Sequence, residues 1–225
     1  ADEVVPGVVV GEAVDLHAQG RKFLGLYTEA QPAKAGVIVV HGMGIHPDWG
    51  LIGVLRAQLS ERGYTTLSIQ MPVLANEAKP TDYPKTFPEA RARLAAAVKY
   101  LKDKNQQRIA IVSHSMGARM SNMYLTQGAD PAVKAWVAIG IPAFDAAKKI
   151  KVPTLDLFGE NDFPQVLKGA AARAQALCSA ARTNAGAAAS AGSGLGRSGR
   201  GISRRQRRRR QKRAVTRPAC QLYLP

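Results

Sequence analysis

Short apolar runs alternate with helical patterns over most of the chain. Five runs are rich in residues that favour strands and lack a strict polar alternation: residues 36–40, 65–70, 108–112, 135–140 and 154–158. Such runs are typical of strands that are buried on both faces of a parallel sheet. Between them, apolar residues recur at helical spacing in residues 51–62, 88–104 and 116–126. The alternation predicts an α/β fold, with a mostly parallel central sheet flanked by helices.

The first thirty residues have a different pattern. Apolar pairs and triplets at residues 4–5, 8–10, 23–24 and 26–27 lie on either side of a turn signal around residues 18–21. This arrangement predicts antiparallel entry strands within residues 1–30, joined by a hairpin.

Each predicted helix has an apolar stripe that we expect to lie in the core. In the first helix the stripe is Leu51, Val54, Leu55 and Leu59. In the second helix it is formed by apolar residues at positions 90, 94, 97, 98 and 101.

The composition changes near residue 171. Residues 171–225 hold thirteen Lys and Arg and no Asp or Glu, so they carry +13 of the formal net charge of +16. The main body is therefore nearly neutral and gives no sign of a nucleic-acid-binding fold. The tail has too few large apolar residues to offset an ordering entropy of about 1–2 kcal/mol per residue. We predict a folded domain over residues 1–178, and a low-complexity, disordered basic tail over residues 179–225.

The basic tail has two features that bear on partners. The Arg-rich run at residues 204–213 could bind polyanions non-specifically through its charge, but no aromatic residue is interleaved for base stacking. A solvated tail without a selected partner is the preferred interpretation. Cys178 and Cys220 could form a bridge in an oxidising compartment. Cys and His spacing does not indicate zinc, so we expect no metal and no cofactor.

The sequence gives limited information on location. No stretch approaches the roughly 18–20 apolar residues needed to cross a bilayer, so no transmembrane segment is expected. The chain starts with Ala-Asp-Glu, which is what remains when a signal peptide is cleaved after a small residue. We expect a periplasmic or secreted protein, with a cytoplasmic one as the alternative. No obligate partner is evident.

A candidate nucleophile lies where a predicted strand meets a predicted helix. Residues 111–117 read Ile-Val-Ser-His-Ser-Met-Gly, which follows the G-x-S-x-G pattern of a nucleophile elbow with Ser113 in place of the first glycine. Such a turn strains the backbone of Ser115 and lifts its hydroxyl above the sheet edge. The following helix directs the partial positive charge of its N-terminus towards a developing oxyanion. The alternative is an ordinary tight turn with a helix-capping serine.

A glycine-containing loop follows the first parallel strand. Residues 41–44 read His-Gly-Met-Gly, which resembles the HG-x-G oxyanion loop of lipases and esterases. Glycines there allow backbone N–H groups to approach a substrate oxygen. We expect the N–H groups of Met43 and Met116 to be the oxyanion donors. His41 is expected to brace the loop rather than to carry protons.

Together these motifs resemble the α/β-hydrolase superfamily over about residues 20–178. In that superfamily the acid of the catalytic triad commonly follows a late strand, in a pattern like G-x-x-D. The resemblance implies that Asp162 is the acid, with Asp156 and Glu160 as alternatives. Residues 46–49 (His-Pro-Asp-Trp) and 63–68 further resemble a group of bacterial α/β-hydrolase-like proteins of unassigned function.

The same superfamily places its general base, a histidine, on a loop after one further strand. The four histidines are His17, His41, His46 and His114, so none follows Asp162 in this chain. We expect the His114 side chain to point away from the Ser115 oxygen, whereas His46 could swing towards the site.

Two explanations for the missing histidine remain open. The tail is either a natural divergence in a protein that binds without turnover, or the product of a reading-frame shift near residues 171–180. A GC-rich gene that is read out of frame yields many Ala, Arg and Gly residues, and we favour this explanation. On either one, the final strand and the histidine loop are expected to be absent from the chain.

The resemblance implies a serine hydrolase of the carboxylesterase type, acting on a small ester or acyl substrate and impaired here for lack of a catalytic histidine. One alternative is a non-catalytic binding protein on the same fold. A weaker alternative is polyanion binding through the Arg-rich tail. The Pro-rich segment at residues 71–88 indicates an open site rather than a lidded pocket.

Overall fold

The computed structural model describes the backbone of residues 5–191 and the side chains of residues 6–181. The strands are β1 (Glu12–Ala18), β2 (Arg21–Thr28), β3 (Gly36–Val40), β4 (Thr65–Ile69), β5 (Ile109–His114), β6 (Val133–Ile139) and β7 (Thr154–Leu157). The α-helices are α1 (Leu51–Glu61), α2 (Phe87–Asp103), α3 (Met116–Thr126) and α4 (Pro164–Ala191). Within the described residues, no helix is both long enough and apolar enough to cross a membrane.

All seven strands form one sheet in the order β1-β2-β4-β3-β5-β6-β7. The pairs of β2 with β1 and with β4 are antiparallel, and all other pairs are parallel. The carboxyl ends of β3 to β7 therefore meet at one edge of the sheet, which we call the carboxyl edge. The predicted α/β fold is confirmed.

The entry hairpin has a two-residue turn. Gln19 and Gly20 both have positive φ, as the turn between two right-twisted strands requires. The hairpin was predicted, but Val5 and the apolar run at residues 8–10 are not part of it, and residue 4 lies outside the described residues. β1 begins only at Glu12.

The parallel strands at the centre are buried on both faces. Every residue of β3 and β4 is buried, which explains their continuous runs without polar alternation. The larger core cluster joins this sheet to α2 and α3, and a smaller cluster joins its other face to α1. The predicted stripe of α2 lies wholly in the larger cluster.

The predicted stripe of α1 is partly wrong. Leu51 and Val54 are 45% and 52% exposed, whereas Ile52 and the charged Arg56 are buried. Arg56 Nε lies 2.6 Å from Asp48 Oδ1, in the loop before α1. Because Arg56 is paired with Asp48, it can lie on the buried face of α1, whereas Leu51 and Val54 of the predicted stripe face outwards.

α4 crosses the predicted boundary at residue 178 without interruption and continues to Ala191. Its Arg173 is buried and ties the helix to the sheet, because Nε lies 2.8 Å from Asp156 Oδ2 on β7. The same guanidinium donates hydrogen bonds to the carbonyls of Val166 and Pro142. Residues 192–225 lie outside the described residues, and with them most of the predicted tail, the Arg-rich run and one end of the possible cysteine bridge.

Replacing Arg173 with alanine is expected to lower the free energy of unfolding by about 3 kcal/mol, because it leaves the Asp156 carboxylate buried without its cation. Urea unfolding measures the change. Arg62→Ala is the matched control, since Arg62 is exposed and its guanidinium hydrogen-bonds a carbonyl one helical turn away. Equal losses in the two variants would contradict a stabilising role for the buried pair.

Candidate active site

Ser115 occupies the turn between β5 and α3 in a strained backbone conformation. Its φ of 54° and ψ of −120° nearly match those of Gly50, which caps α1 with 49° and −122°. Glycine adopts this region easily, but serine has a Cβ and does so at a cost that is common at functional sites. The Ser115 hydroxyl makes no capping hydrogen bond to α3. This geometry argues against the helix-capping alternative.

The packing around the elbow explains why the residues two positions before and after Ser115 are small. A Cβ on Gly117 would lie 2.2 Å from the carbonyl oxygen of His41, so only glycine fits there. Ser113, which stands where the pattern has its first glycine, is buried, and its Oγ accepts a 2.7 Å hydrogen bond from Nε1 of Trp136. The backbone N–H of Ser115 donates to the carbonyl of Ile139 on β6. The elbow is thus hydrogen-bonded to β6 on one side and packed against the loop after β3 on the other.

The His-Gly-Met-Gly loop packs directly against the elbow. A Cβ on Gly42 would lie 3.2 Å from Cβ of Ser115, which places the backbone before Met43 beside the nucleophile. Met116 is the first residue of α3, so its N–H has no carbonyl partner within the helix. The chain therefore brings together the two segments that carry the predicted oxyanion donors.

His41 is buried and hydrogen-bonded through both ring nitrogens. Nε2 accepts from the backbone N–H of Met71 at 2.9 Å, so the proton is on Nδ1, which donates to the Gly42 carbonyl at 2.7 Å. Gln70 Nε2 lies 3.0 Å from the same Nε2. Burial lowers the pKa of His41 to about 4, against a smaller opposing effect of the hydrogen bond to Gly42. The ring links the loops that follow β3 and β4, as a brace would.

The buried His41 should make stability depend on pH. The unfolded chain takes up this proton near pH 6.5, but the folded chain does so only near pH 4. The free energy of unfolding should therefore fall as the pH drops from about 6.5 to about 4, by about 3 kcal/mol from this group, with no further loss below. In His41→Gln, the free energy of unfolding that is measured with urea should lose this part of its pH dependence. His17→Gln, on the exposed side of β1, should keep the wild-type dependence.

The His-Pro-Asp-Trp segment is anchored by its polar groups. The Pro47 carbonyl accepts a 2.7 Å hydrogen bond from Ser68 Oγ on β4, and Asp48 pairs with Arg56. His46 packs edge-on against Trp49, with ring centroids 5.6 Å apart, and its Nδ1 accepts from the Asp48 N–H. These contacts hold His46 within its own loop, and they leave Trp49 exposed.

Asp162 lies at the carboxyl edge, beside the end of β6. A Cβ on Gly140 would lie 3.4 Å from Asp162 Oδ2 and 3.8 Å from His114 Nε2, so the carboxylate and the imidazole approach the same point. Burial lowers the pKa of His114, and the nearby Asp162 carboxylate opposes that shift. Nδ1 of His114 is buried and has no hydrogen-bond partner within the described residues.

The two alternative acids have other surroundings. Asp156 is paired with Arg173; burial raises the pKa of its carboxyl, and the guanidinium opposes that shift. Glu160 is exposed. Of the three carboxylates considered, Asp162 is the one that approaches His114, the residue before Ser115, and it is not bound in a structural ion pair in the described part of the chain.

No histidine within residues 6–181 is hydrogen-bonded to Asp162 or to Ser115. His17 is on the edge strand β1, His41 and His46 are engaged in loops, and His114 faces Asp162 from the residue before the nucleophile. In the same part of the chain, no group of three or more His, Cys, Asp or Glu side chains is placed to hold a metal ion.

Several residues of the site were not singled out from the sequence. Gly140 was seen only as the end of a strand run, although it has a φ of 62° that favours glycine and lies beside Asp162 and His114. The sequence around Trp136 does not predict its hydrogen bond to Ser113. Both relations depend on β6 lying next to β5, which the local pattern does not specify.

Solved structures of several hydrolases resemble this fold. They include a dienelactone hydrolase from Anabaena variabilis (22% identity, 73% of this chain, 80% of that chain, TM-score 0.59). A predicted CIB-like hydrolase from Thermoplasma acidophilum matches with 19% identity, 73% and 81% coverage and a TM-score of 0.57. An alpha-beta serine hydrolase homologue from Coxiella burnetii matches with 15% identity, 75% and 83% coverage and a TM-score of 0.57.

These likenesses and the sheet order define an α/β-hydrolase fold. The chain belongs to the protein family of unknown function DUF3530, whose family model matches residues 10–92 and 75–185. No curated protein matches the chain.

Proposed function

We propose that the site centred on Ser115 hydrolyses carboxylic esters through a serine nucleophile. The observation that carries this proposal is the strained φ of Ser115 on a strand-to-helix turn, with a hydroxyl that is not used to cap the helix. An ordinary turn does not need a strained serine, because a glycine at this position would adopt the same backbone conformation without the strain. The names of similar structures, among them a dienelactone hydrolase, favour hydrolysis as the reaction class.

In this reaction Ser115 Oγ attacks the carbonyl carbon while a base removes its proton. The carbonyl oxygen becomes an oxyanion, which the N–H groups of Met43 and Met116 stabilise together with the N-terminus of α3. The carbon–oxygen bond to the alcohol then breaks, and the leaving oxygen takes the proton. Water attacks the acyl-serine in the same way and releases the acid and the free hydroxyl.

Asp162 is the acid that would orient a histidine base. This assignment is supported by the position of its carboxylate on the loop after β7, where it approaches His114, the residue before Ser115. No histidine follows Asp162 in this chain, so we propose that turnover by the chain is slow. The competing proposal, a binding protein without turnover on the same fold, differs only in whether Ser115 reacts.

A fluorophosphonate probe tests the proposal, because it forms a covalent bond with activated serines. Prolonged incubation should label one site, and mass spectrometry should place the label on Ser115. Ser115→Ala should abolish the labelling. Ser121→Ala, which removes a buried hydroxyl in α3 that has no partner in the described structure, should leave it intact. A Ser115 that stays unlabelled even when a histidine is supplied after residue 181 would favour the binding protein.

A further inference from the structure

A cleft of about 630 Å³ lies at the edge of the sheet opposite to the candidate active site, and we call it the amino-edge cleft. Its walls are the end of α3, the loop that leads into β6, the start of β6 and the segment that leads into β7. β6 runs for seven residues from the cleft to Ile139, whose carbonyl binds the Ser115 N–H. About 20 Å of strand therefore separate the cleft from the nucleophile.

The floor of the amino-edge cleft is apolar and continuous with the core. Two of its residues are buried in the larger core cluster, and two more are partly buried and pack against that cluster. They are Leu125, Val133, Ala129 and Val152. The hydroxyl of Thr126, also in the lining, donates to carbonyls of its own helix. The floor therefore offers an apolar surface to whatever enters the cleft.

The charged side chains that line the amino-edge cleft are mostly positive. They include Lys134 on β6, Lys149 in the short turn before β7, and Lys151. Within residues 6–181, neither Lys134 nor Lys149 forms an ion pair. Among the lining residues, the only acid is Asp130. Its Oδ2 lies 2.8 Å from Lys102 Nζ, and its Oδ1 accepts a backbone N–H at 2.7 Å. The cleft therefore has an excess of positive charge.

We propose that the amino-edge cleft binds a small amphiphilic anion, in which a carboxylate or a similar head group is joined to an apolar body. Lysines on an open surface need no partner, but here they stand over an apolar floor, and a ligand of this class complements both. The ammonium groups of Lys134 and Lys149 hold the head group, while the floor covers the body. A volume of about 630 Å³ is within the range of small-molecule sites, which are mostly apolar with a few polar groups.

The same features exclude other classes of ligand. The positive charge disfavours a cationic amphiphile, and the apolar floor gives a fully hydrated anion such as phosphate nothing to bury. The proposal does not depend on the reactivity of Ser115, because the cleft lies at the other edge of the sheet.

Isothermal titration calorimetry of the full chain tests the chemistry of the ligand with four compounds. Octanoate has both required properties, octylammonium has the opposite charge, and acetate and phosphate lack the apolar body. The basic tail attracts every anion, so acetate and phosphate measure that contribution. We expect octanoate to bind at least about tenfold more tightly than acetate or phosphate, and octylammonium not to bind.

Three lysine variants locate the binding. Lys134→Ser and Lys149→Ser should each weaken octanoate binding by about threefold to fivefold, as expected for an ammonium–carboxylate contact near the surface. Lys148→Ser is the matched control: Lys148 is exposed and next to Lys149, but it does not line the cleft. It removes the same charge and should change the affinity by less than about twofold at physiological salt. Circular dichroism checks that each variant is folded.

The outcomes separate this cleft from the site at Ser115. Ser115→Ala should bind octanoate like the wild type, and a loss of binding there would place the octanoate in the candidate active site instead. Equal affinity for octanoate and octylammonium, or equal losses in Lys148→Ser and Lys149→Ser, would also overturn the proposal, as would the absence of octanoate binding. Lysine-dependent octanoate binding by a chain whose Ser115 never reacts would support the amino-edge cleft and leave only ester hydrolysis refuted.

Discussion

Supplying a histidine is expected to raise ester turnover by about 10³-fold or more. The change replaces the residues after 181 with an in-frame segment that carries a strand followed by a histidine on a loop. Keeping residues up to 181 preserves Arg173 and its contacts to β7. The gain is large because the Ser115 hydroxyl is a weak nucleophile until a base accepts its proton, and loss of one triad member removes most of the rate. Hydrolysis of a short-chain activated ester measures it.

Two variants of the chain that carries the added histidine segment test whether Ser115 and the new histidine cause the gain. Ser115→Ala and replacement of the new histidine by alanine should each return turnover to about the level of the original chain. Because triad residues act as a unit, combining them should cost little more than either alone. High activity in the original chain, or a gain that survives Ser115→Ala, would show that another group is the nucleophile or the base.

Gly117→Ala should lower the free energy of unfolding by about 4 kcal/mol and abolish labelling of Ser115. The added Cβ would lie 2.2 Å from the His41 carbonyl oxygen and 2.9 Å from a methyl group of Val40. Both are parts of the buried β3 region and cannot yield without moving the oxyanion loop, so the cost exceeds that of ordinary overpacking. Urea unfolding and the fluorophosphonate probe measure the two effects.

Gly159→Ala is the matched control for this substitution. A Cβ there would meet no atom within 4 Å, and the backbone of Gly159 does not have positive φ. The control should change the stability by no more than a few tenths of a kcal/mol and should keep the labelling. A small effect of Gly117→Ala would mean that the elbow is looser than the packing around it indicates.

The parallel sheet could be predicted because burial on both faces leaves a signature within each strand. The five runs correspond to β3 to β7, with ends that differ by at most two residues. The apolar stripes predicted the buried faces of the helices less reliably, because the prediction assumes that charged residues face water. Arg56 breaks that assumption in α1, because Asp48 supplies a partner close enough to offset its burial.

The extent of α4 depends on a property that the apolar pattern does not measure. The domain boundary predicted at residue 178 came from counting apolar residues that could be buried, which does not fix where a helix ends. Alanine has the highest intrinsic helix propensity, and α4 continues through an alanine-rich stretch to Ala191.

Part of the candidate site could be predicted from contiguous segments, whereas the rest depends on contacts between segments that are distant in sequence. The elbow and the His-Gly-Met-Gly loop are contiguous segments, so their residue types reveal them directly. That Asp162 and His114 both approach Gly140 depends on the loops after β5, β6 and β7 meeting at one edge. The expectation about His114 concerned only the Ser115 oxygen, and it did not anticipate the carboxylate that the ring faces.

The central position of β3 has a consequence for synthesis on the ribosome. Gly36 pairs with Thr65 on one side, but on the other side it pairs with Ile109, far later in the chain. Until β5 emerges, one edge of the apolar strand β3 stays unpaired, and such edges invite association with other chains. The strained turn at Ser115 can form only after that pairing, so the nucleophile is assembled late. A nascent chain stalled before residue 109 should therefore be a better chaperone client than one released after α3.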